Sequence, residues 1–240
     1  MRNAFTILYQ GLDRQGPGEP GDVAWAADAA GLKPDALICD AGCGTGADIP
    51  ALLAAAPAGK VTAIDKNQAF IDRVLVTHGS DARVMAFAGN MAKLKGPFDL
   101  IWSAGSMYFL GVEKALKAWR PALSKSGAIA FSEPCVFDVA ETDESHAAIR
   151  AFWGDYEALT GTDGLDAKIR DAGFETIARR RVSESGWQAY YGPLAARIAA
   201  LRPGADEAMN AVLDASEAEI QTFQKVKDKT GYALSVVRPV

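Results

Sequence analysis

At 240 residues, with 49% apolar and 23% charged side chains, the chain has the make-up of a soluble globular protein with room for a sizeable core. A formal net charge of −5 argues against a nucleic-acid partner, because neutralising phosphate needs clustered Lys and Arg. No window approaches the roughly 20 apolar residues of a membrane span, and the apolar run in "MRNAFTILYQGLDRQG" is too short for a signal peptide, so the chain reads as cytoplasmic and not membrane-bound.

Residues 1–34 form an N-terminal segment with a mild Gly/Pro cluster between Gly16 and Gly21. "ALICDA" (36–41) reads as a strand, followed by a helix around "ADIPALLAAA" with Pro50 in or near its first turn, where a missing N–H costs little. "KVTAID" is a second strand ending at Asp65, and "QAFIDRVLVTHG" repeats apolar residues at helical spacing before Gly79. "ARVMAFAG", "FDLIWSAG" and "GAIAFSEP" read as three further strands. Between the last two, "VEKALKAWRPALSKSG" predicts an amphipathic helix with Ala115, Leu116, Trp119 and Leu123 on one face. A helix from about Asp163 to Ala172, the strand "FETIARRRVSE", and two helical segments punctuated by Pro203-Gly204 lead to a last strand, "GYALSVVRP". The basic run Arg179 to Arg181, inside the penultimate strand, reads as a solvated or rim feature. Strands alternating with helices imply right-handed crossovers and an open doubly wound sheet, whose ligands bind beyond the carboxyl ends of the strands.

The glycine-rich loop after the first strand, "CDAGCGTGADIP", lies on that edge and fits two patterns. Gly42, Gly44 and Ala47 satisfy the dinucleotide fingerprint G-x-G-x-x-G/A, while Gly42, Gly44 and Gly46 satisfy the tighter G-x-G-x-G of S-adenosylmethionine sites. Asp65 suits either, since both cofactors present ribose hydroxyls to such a carboxylate. Asp40 discriminates: it would repel a pyrophosphate and attract a methionine ammonium. Free N–H groups at the following helix start can help hold the methionine carboxylate. Cys39, Cys43 and Cys135 form no C-x-x-C pair, and with only His78 and His146 besides, neither a disulfide framework nor a metal site is indicated.

"LICDAGCGTG", "AID" ending in Asp65, "AGNMAKL" and "FDLIWSAGSMYFLG" follow one another in an order that resembles class I S-adenosylmethionine-dependent methyltransferases. More narrowly, "RQGPG" (Arg14 to Gly18), Ile101-Trp102, Ser132-Glu133 and the segment from Trp187 through Tyr190-Tyr191 to Pro193-Leu194 resemble a group of small bacterial methyltransferases of largely unassigned substrate. The resemblance implies an α/β, Rossmann-like, mostly parallel seven-stranded sheet with an antiparallel last strand and helical lid insertions. It implies one domain over 1–240, with a cap segment at 1–34, a cofactor-binding core at 35–134, and helical insertions at 135–162 and 186–229.

The same resemblance places Asp40, Gly42, Cys43, Gly44 and Gly46 around the methionine and ribose end of the cofactor, although the thiols of Cys39 and Cys43 read as packing groups. Asp65 would bind the ribose hydroxyls, with Lys66, solvated, beside it. Asn90 stands where relatives usually carry Asp and would accept from the adenine amino group, with Met91 as a wall. Ser103 and Ala104 should lie near the transferring methyl. Ala104 departs from relatives that carry Glu there.

Topology brings the N-terminal residues, the segment after Glu133 and the late helical insertion to the cofactor edge, which makes Arg14, Tyr108, Glu133, Trp187 and Tyr191 candidate substrate-pocket residues. His146, Glu133 and Tyr108 are candidate bases, and none is singled out. The expected activity is methyl transfer to a small-molecule acceptor. A non-catalytic S-adenosylmethionine-binding module is one alternative. An NAD-dependent oxidoreductase is another, without a Tyr-x-x-x-Lys pair after the fourth strand to support it.

Overall fold

Short, near-continuous apolar runs bounded by glycine and acidic turns set the central strands, as expected where helices cover both faces of a parallel sheet. In the computed structural model, which describes residues 4–137, 144–154 and 156–240, five of these strands lie parallel: β1 (Leu37–Ala41), β2 (Lys60–Asp65), β3 (Val84–Ala88), β4 (Phe98–Ser103) and β5 (Leu123–Val136). A two-residue strand, β6 (Thr160–Gly161), pairs in parallel with the end of β5. β7 (Phe174–Arg181) and β8 (Thr230–Pro239) complete the order β3-β2-β1-β4-β5-β8-β7. The expected seven strands are thus joined by an eighth, β6, too short to show periodicity. The last strand is antiparallel as expected, from Ile129↔Val237 to Val136↔Thr230. β7 runs in the direction of β5, but its partner is β8, to which it is antiparallel, and it forms the sheet edge.

The helices are α1 (Ala4–Tyr9), α2 (Pro20–Ala30), α3 (Ile49–Ala55), α4 (Gln68–His78), α5 (Val112–Trp119), α6 (His146–Phe152), α7 (Thr162–Asp171), α8 (Glu184–Leu201) and α9 (Glu207–Val226). Pro50 falls in the first turn of α3. Successive strand residues face opposite cores. Ile38, Leu100 and Ala130 pack with α2, α3, α4 and α8, while Cys39, Ile101 and Ile129 pack with α5 and α7. Ala115, Leu116 and Trp119 of α5 are completely buried, each large side chain contributing about 2–3 kcal/mol. The helix stops at Trp119 rather than running to Leu123, because Pro121 lacks a donor and forces a 3-10 turn over Arg120–Ala122; Leu123 opens β5 instead.

β7 also ends earlier than its apolar pattern predicts. Ser183 accepts from Gly186 N–H as the N-cap of α8 and so turns the chain. The three arginines before it are clasps rather than a solvated patch. Arg179 bridges to Asp166 at 2.7 Å, Arg180 bridges to Asp22 and lies over Trp25, and Arg181 lies over Phe137 while donating to the carbonyls of Lys227 and Asp228. Among the described residues no helix is long and apolar enough to cross a membrane. α1 packs against α8 and α9, and α6 against α9.

Candidate active site

β1 delivers Asp40 to the carboxyl edge of the sheet, and the chain then turns at Gly42, whose φ of +81° disfavours any side chain. Space demands glycine there too: a Cβ would lie 2.4 Å from Ser106 Oγ. That hydroxyl donates to the Ala41 carbonyl and lies 2.7 Å from Ser103 Oγ, so the loops after β1 and β4 are locked together. The N–H groups of Gly42 and Cys43 go to the Ile64 carbonyl at 2.8 and 3.1 Å.

Beneath this loop lies a cavity of about 220 Å³ whose wall includes Asp40, Asp48 and Asp65, with Arg14 as the one Lys or Arg among the described lining residues. Asp40 is 3% exposed, and its Oδ2 has no hydrogen-bond partner. Burial first, and then the Asp48 carboxylate, pushes its carboxyl well above the usual range. Asp48 accepts from Trp102 Nε1 at 2.9 Å and pairs with Arg14. Asp65 accepts from Gly44 N–H at 3.0 Å and from Asn67 N–H at 2.8 Å, which fixes its carboxylate across the mouth of the loop. An orphaned buried carboxylate oxygen suits a ligand ammonium, whereas a pyrophosphate would meet three carboxylates and a cation already paired.

A second cavity, of about 390 Å³, shares Gln15, Gly16, Pro17 and Tyr108 with the first. Its walls carry Trp153, Trp187, Tyr190, Tyr191 and Tyr232, and the carboxylate of Glu219. Trp187 stacks between Phe223, at 4.0 Å between centroids, and Tyr232, at 5.5 Å. Tyr191 donates to Glu219 at 3.0 Å, and burial pushes that carboxyl up. Tyr156, also on the wall, donates to Glu133 Oε1 at 2.8 Å; Glu133 Oε2 is buried without a partner. Burial raises the Glu133 carboxyl to about 7.

Of the residues singled out in the sequence, Asp40, Gly42, Cys43, Gly44, Asp65, Ala104, Arg14 and Tyr108 line the first cavity. Tyr108, Trp187 and Tyr191 line the second, with Glu133 just behind it. Gly46, Lys66, Asn90, Met91 and Ser103 stand off both walls. Gly46 faces Ile49 and Val74, Lys66 lies over the Phe109 ring, and the Asn90 side chain accepts from Ala92 N–H. The Met91 carbonyl accepts from Trp119 Nε1. His146 opens α6 and lines neither cavity. Cys39 and Cys43 are buried, and burial drives both thiols far up, away from any thiolate role. Sequence reasoning did not assign Asp48, Gln15, Trp153, Tyr156, Glu219 and Tyr232 to the site. Asp48 carried a signal, an acid at a helix start directly after the glycines, and Gln15 lay inside the quoted RQGPG motif; the others carried none without the tertiary structure.

Residues 38–127 match the family model described as a methyltransferase domain. No curated protein matches the sequence. Among solved structures, the chain is similar to an S-adenosylmethionine-dependent methyltransferase from Geobacter sulfurreducens in complex with S-adenosyl-L-homocysteine, with TM-score 0.82, 18% identity, and 100% of this chain and 99% of that one covered. A counterpart from Thiobacillus denitrificans, also with S-adenosyl-L-homocysteine, gives TM-score 0.81 at 18% identity over 100% and 99% of the two chains. Geranyl diphosphate C-methyltransferase from Streptomyces coelicolor, in complex with Mg2+, geranyl diphosphate and S-adenosyl-L-homocysteine, gives 0.63 at 13% identity over 92% and 79%. The resemblance drawn from the ordered motifs is therefore borne out: residues 38–127 match a methyltransferase domain, and the whole chain has the fold of S-adenosylmethionine-dependent methyltransferases.

Proposed function

We propose that the protein transfers a methyl group from S-adenosylmethionine to a small organic acceptor, with the donor in the cavity under the glycine loop and the acceptor in the adjoining aromatic one. The observation that carries this reading is Asp40, a buried carboxylate with an unpartnered oxygen at the end of β1, where a methionine ammonium would satisfy it. Asp65, held in place by two backbone N–H groups, would accept from the ribose hydroxyls with its remaining lone pairs. Bound S-adenosylmethionine supplies a methyl on a sulfonium, activated for in-line displacement by an acceptor's lone pair, with the C–S electron pair left on sulfur. The chain's own task is then to align the two molecules and keep water out. The N-terminal segment, through Arg14 to Pro17, and the aromatic helices α8 and α9 would form the cover over both.

Calorimetric titration with S-adenosylhomocysteine tests the reading. Binding should release a proton, because an ammonium beside Asp40 draws its raised carboxyl into the charged form. The binding enthalpy should accordingly change with the ionisation enthalpy of the buffer. Asp40→Asn should remove the buffer dependence and weaken binding about tenfold, or about 1.4 kcal/mol. No binding at about 1 mM ligand, a free energy weaker than about −4 kcal/mol, would sink the proposal.

A further inference from the structure

The aromatic cavity holds more information about the acceptor than its size. Its rings are arranged as one stack: Trp187 over Tyr232 at 17° between planes, and Trp153 edge-on to Tyr232 at 5.1 Å and to Trp187 at 6.2 Å. Ring faces carry partial negative charge and attract cations lying over them. The Glu219 carboxyl stands in the same wall, and among the described residues it forms no salt bridge; Tyr191 donates to it, and a cation beside it would favour its charged form. Tyr156 points its hydroxyl at Glu133, a second carboxyl directly behind the wall with its other oxygen unpartnered. No Lys, Arg or His is among the described residues lining this cavity. A carboxylate or phosphate placed here would lack a counter-charge, and a purely apolar molecule would strip water from Glu219 without replacing it.

We infer that the acceptor is an organic cation, a small protonated alkylamine, held within the aromatic wall of this cavity by the Glu219 carboxylate, with methylation at its nitrogen. The inference rests on the methyl-transfer reading of the neighbouring cavity. An ammonium must lose its proton before its lone pair can form the new N–C bond, and the Glu219 carboxylate on the same wall would receive that proton. The lone pair of the neutral amine takes the methyl while the C–S electron pair stays on sulfur, so the product emerges directly as an ammonium and the same wall accommodates it.

Three probes of nearly one shape separate charge from fit: choline, its neutral carbon isostere 3,3-dimethylbutan-1-ol, and the anion 3,3-dimethylbutanoate. Each is titrated into the protein with and without saturating S-adenosylhomocysteine. Choline should bind at least about tenfold more tightly than the neutral isostere, and the anion should bind weakest. Glu219→Gln, which still accepts from Tyr191, should weaken choline about fivefold and leave the neutral isostere unchanged. Equal binding of choline and its isostere, preference for the anion, or no binding of any probe at tens of millimolar would overturn the inference. If Glu219→Gln fails to fold, the three-probe series on the unaltered chain decides. Binding of S-adenosylhomocysteine without cation preference defeats the acceptor assignment alone; cation preference without S-adenosylhomocysteine binding defeats the methyl-transfer reading instead.

Discussion

The cavity under the glycine loop and the aromatic cavity beside it touch along Gln15 to Pro17 and Tyr108, yet they are built in opposite ways. The first draws most of its wall from short, contiguous stretches at the ends of β1, β2 and β4, and its shape is backbone turns fixed by hydrogen bonds to Ile64 and Ala41. The second draws on β5, α6, α8, α9 and β8, segments far apart in the chain, and its shape is set by ring against ring. Damage to the first should therefore alter ligand contacts and local strain. Damage to the second should be felt by the whole molecule.

The sharpest way to break this contrast is Trp187→Ala. Trp187 is 5% exposed and stacked on Phe223 and Tyr232, so its loss should cost about 4 kcal/mol of stability in urea unfolding. At a temperature where the variant is still folded, S-adenosylhomocysteine should bind within about twofold of its original affinity, a difference below about 0.5 kcal/mol. A tenfold loss would mean that the two cavities are one cooperative unit.

Glu133→Gln should come next. The Glu133 carboxyl is raised from 4.5 to about 7, so the folded chain holds its proton more tightly than the unfolded one. Its contribution to stability is full below pH about 4.5 and is lost as pH rises to about 7, with no further change above. The glutamine variant should match the original at pH 4.5 and exceed it at pH 8 by about 2–3 kcal/mol. A gap that does not vary with pH would show that Glu133 is not titrating in that window. The smallest effect belongs to the glycine loop. Gly44→Ala meets only the Gln15 side chain at 3.6 Å, so it should cost about 1 kcal/mol for its φ of +52°. Gly42→Ala, pressed against Ser106 as well, should lower the thermal midpoint further; equal midpoints would remove the space argument at Gly42.

The difference between the cavities also explains what was legible in the sequence. Short apolar runs, Pro50 in a first turn and the positive-φ glycines act over a few residues, and the sheet and the loop could be read from them. The helix ending at Trp119 was legible in principle through Pro121, but the apolar spacing of Leu123 imitated a continuing helical face. β6 left no trace, since two residues cannot display a period. Glu219 sits in an acid-rich stretch of α9 and reads as one more solvated carboxylate until α8 supplies Tyr191 against it. The arginines of β7 look like a basic patch in one dimension. They become ties only when Asp22, Asp166 and Phe137 arrive from elsewhere.

Gln15, Gly16 and Pro17 border both cavities, yet they lie outside residues 38–127, ahead of the first strand. The partition between the two cavities thus comes from a segment that precedes the central sheet and is not part of it. On the proposed reading, changes to this segment or to the aromatic residues it meets would retune acceptor choice while Asp40 and Asp65 stay untouched. One side of the site is, on that reading, written in short loops and the other in the core itself, so a new acceptor pocket has to be found without unpacking Trp187, Leu194 and Phe223.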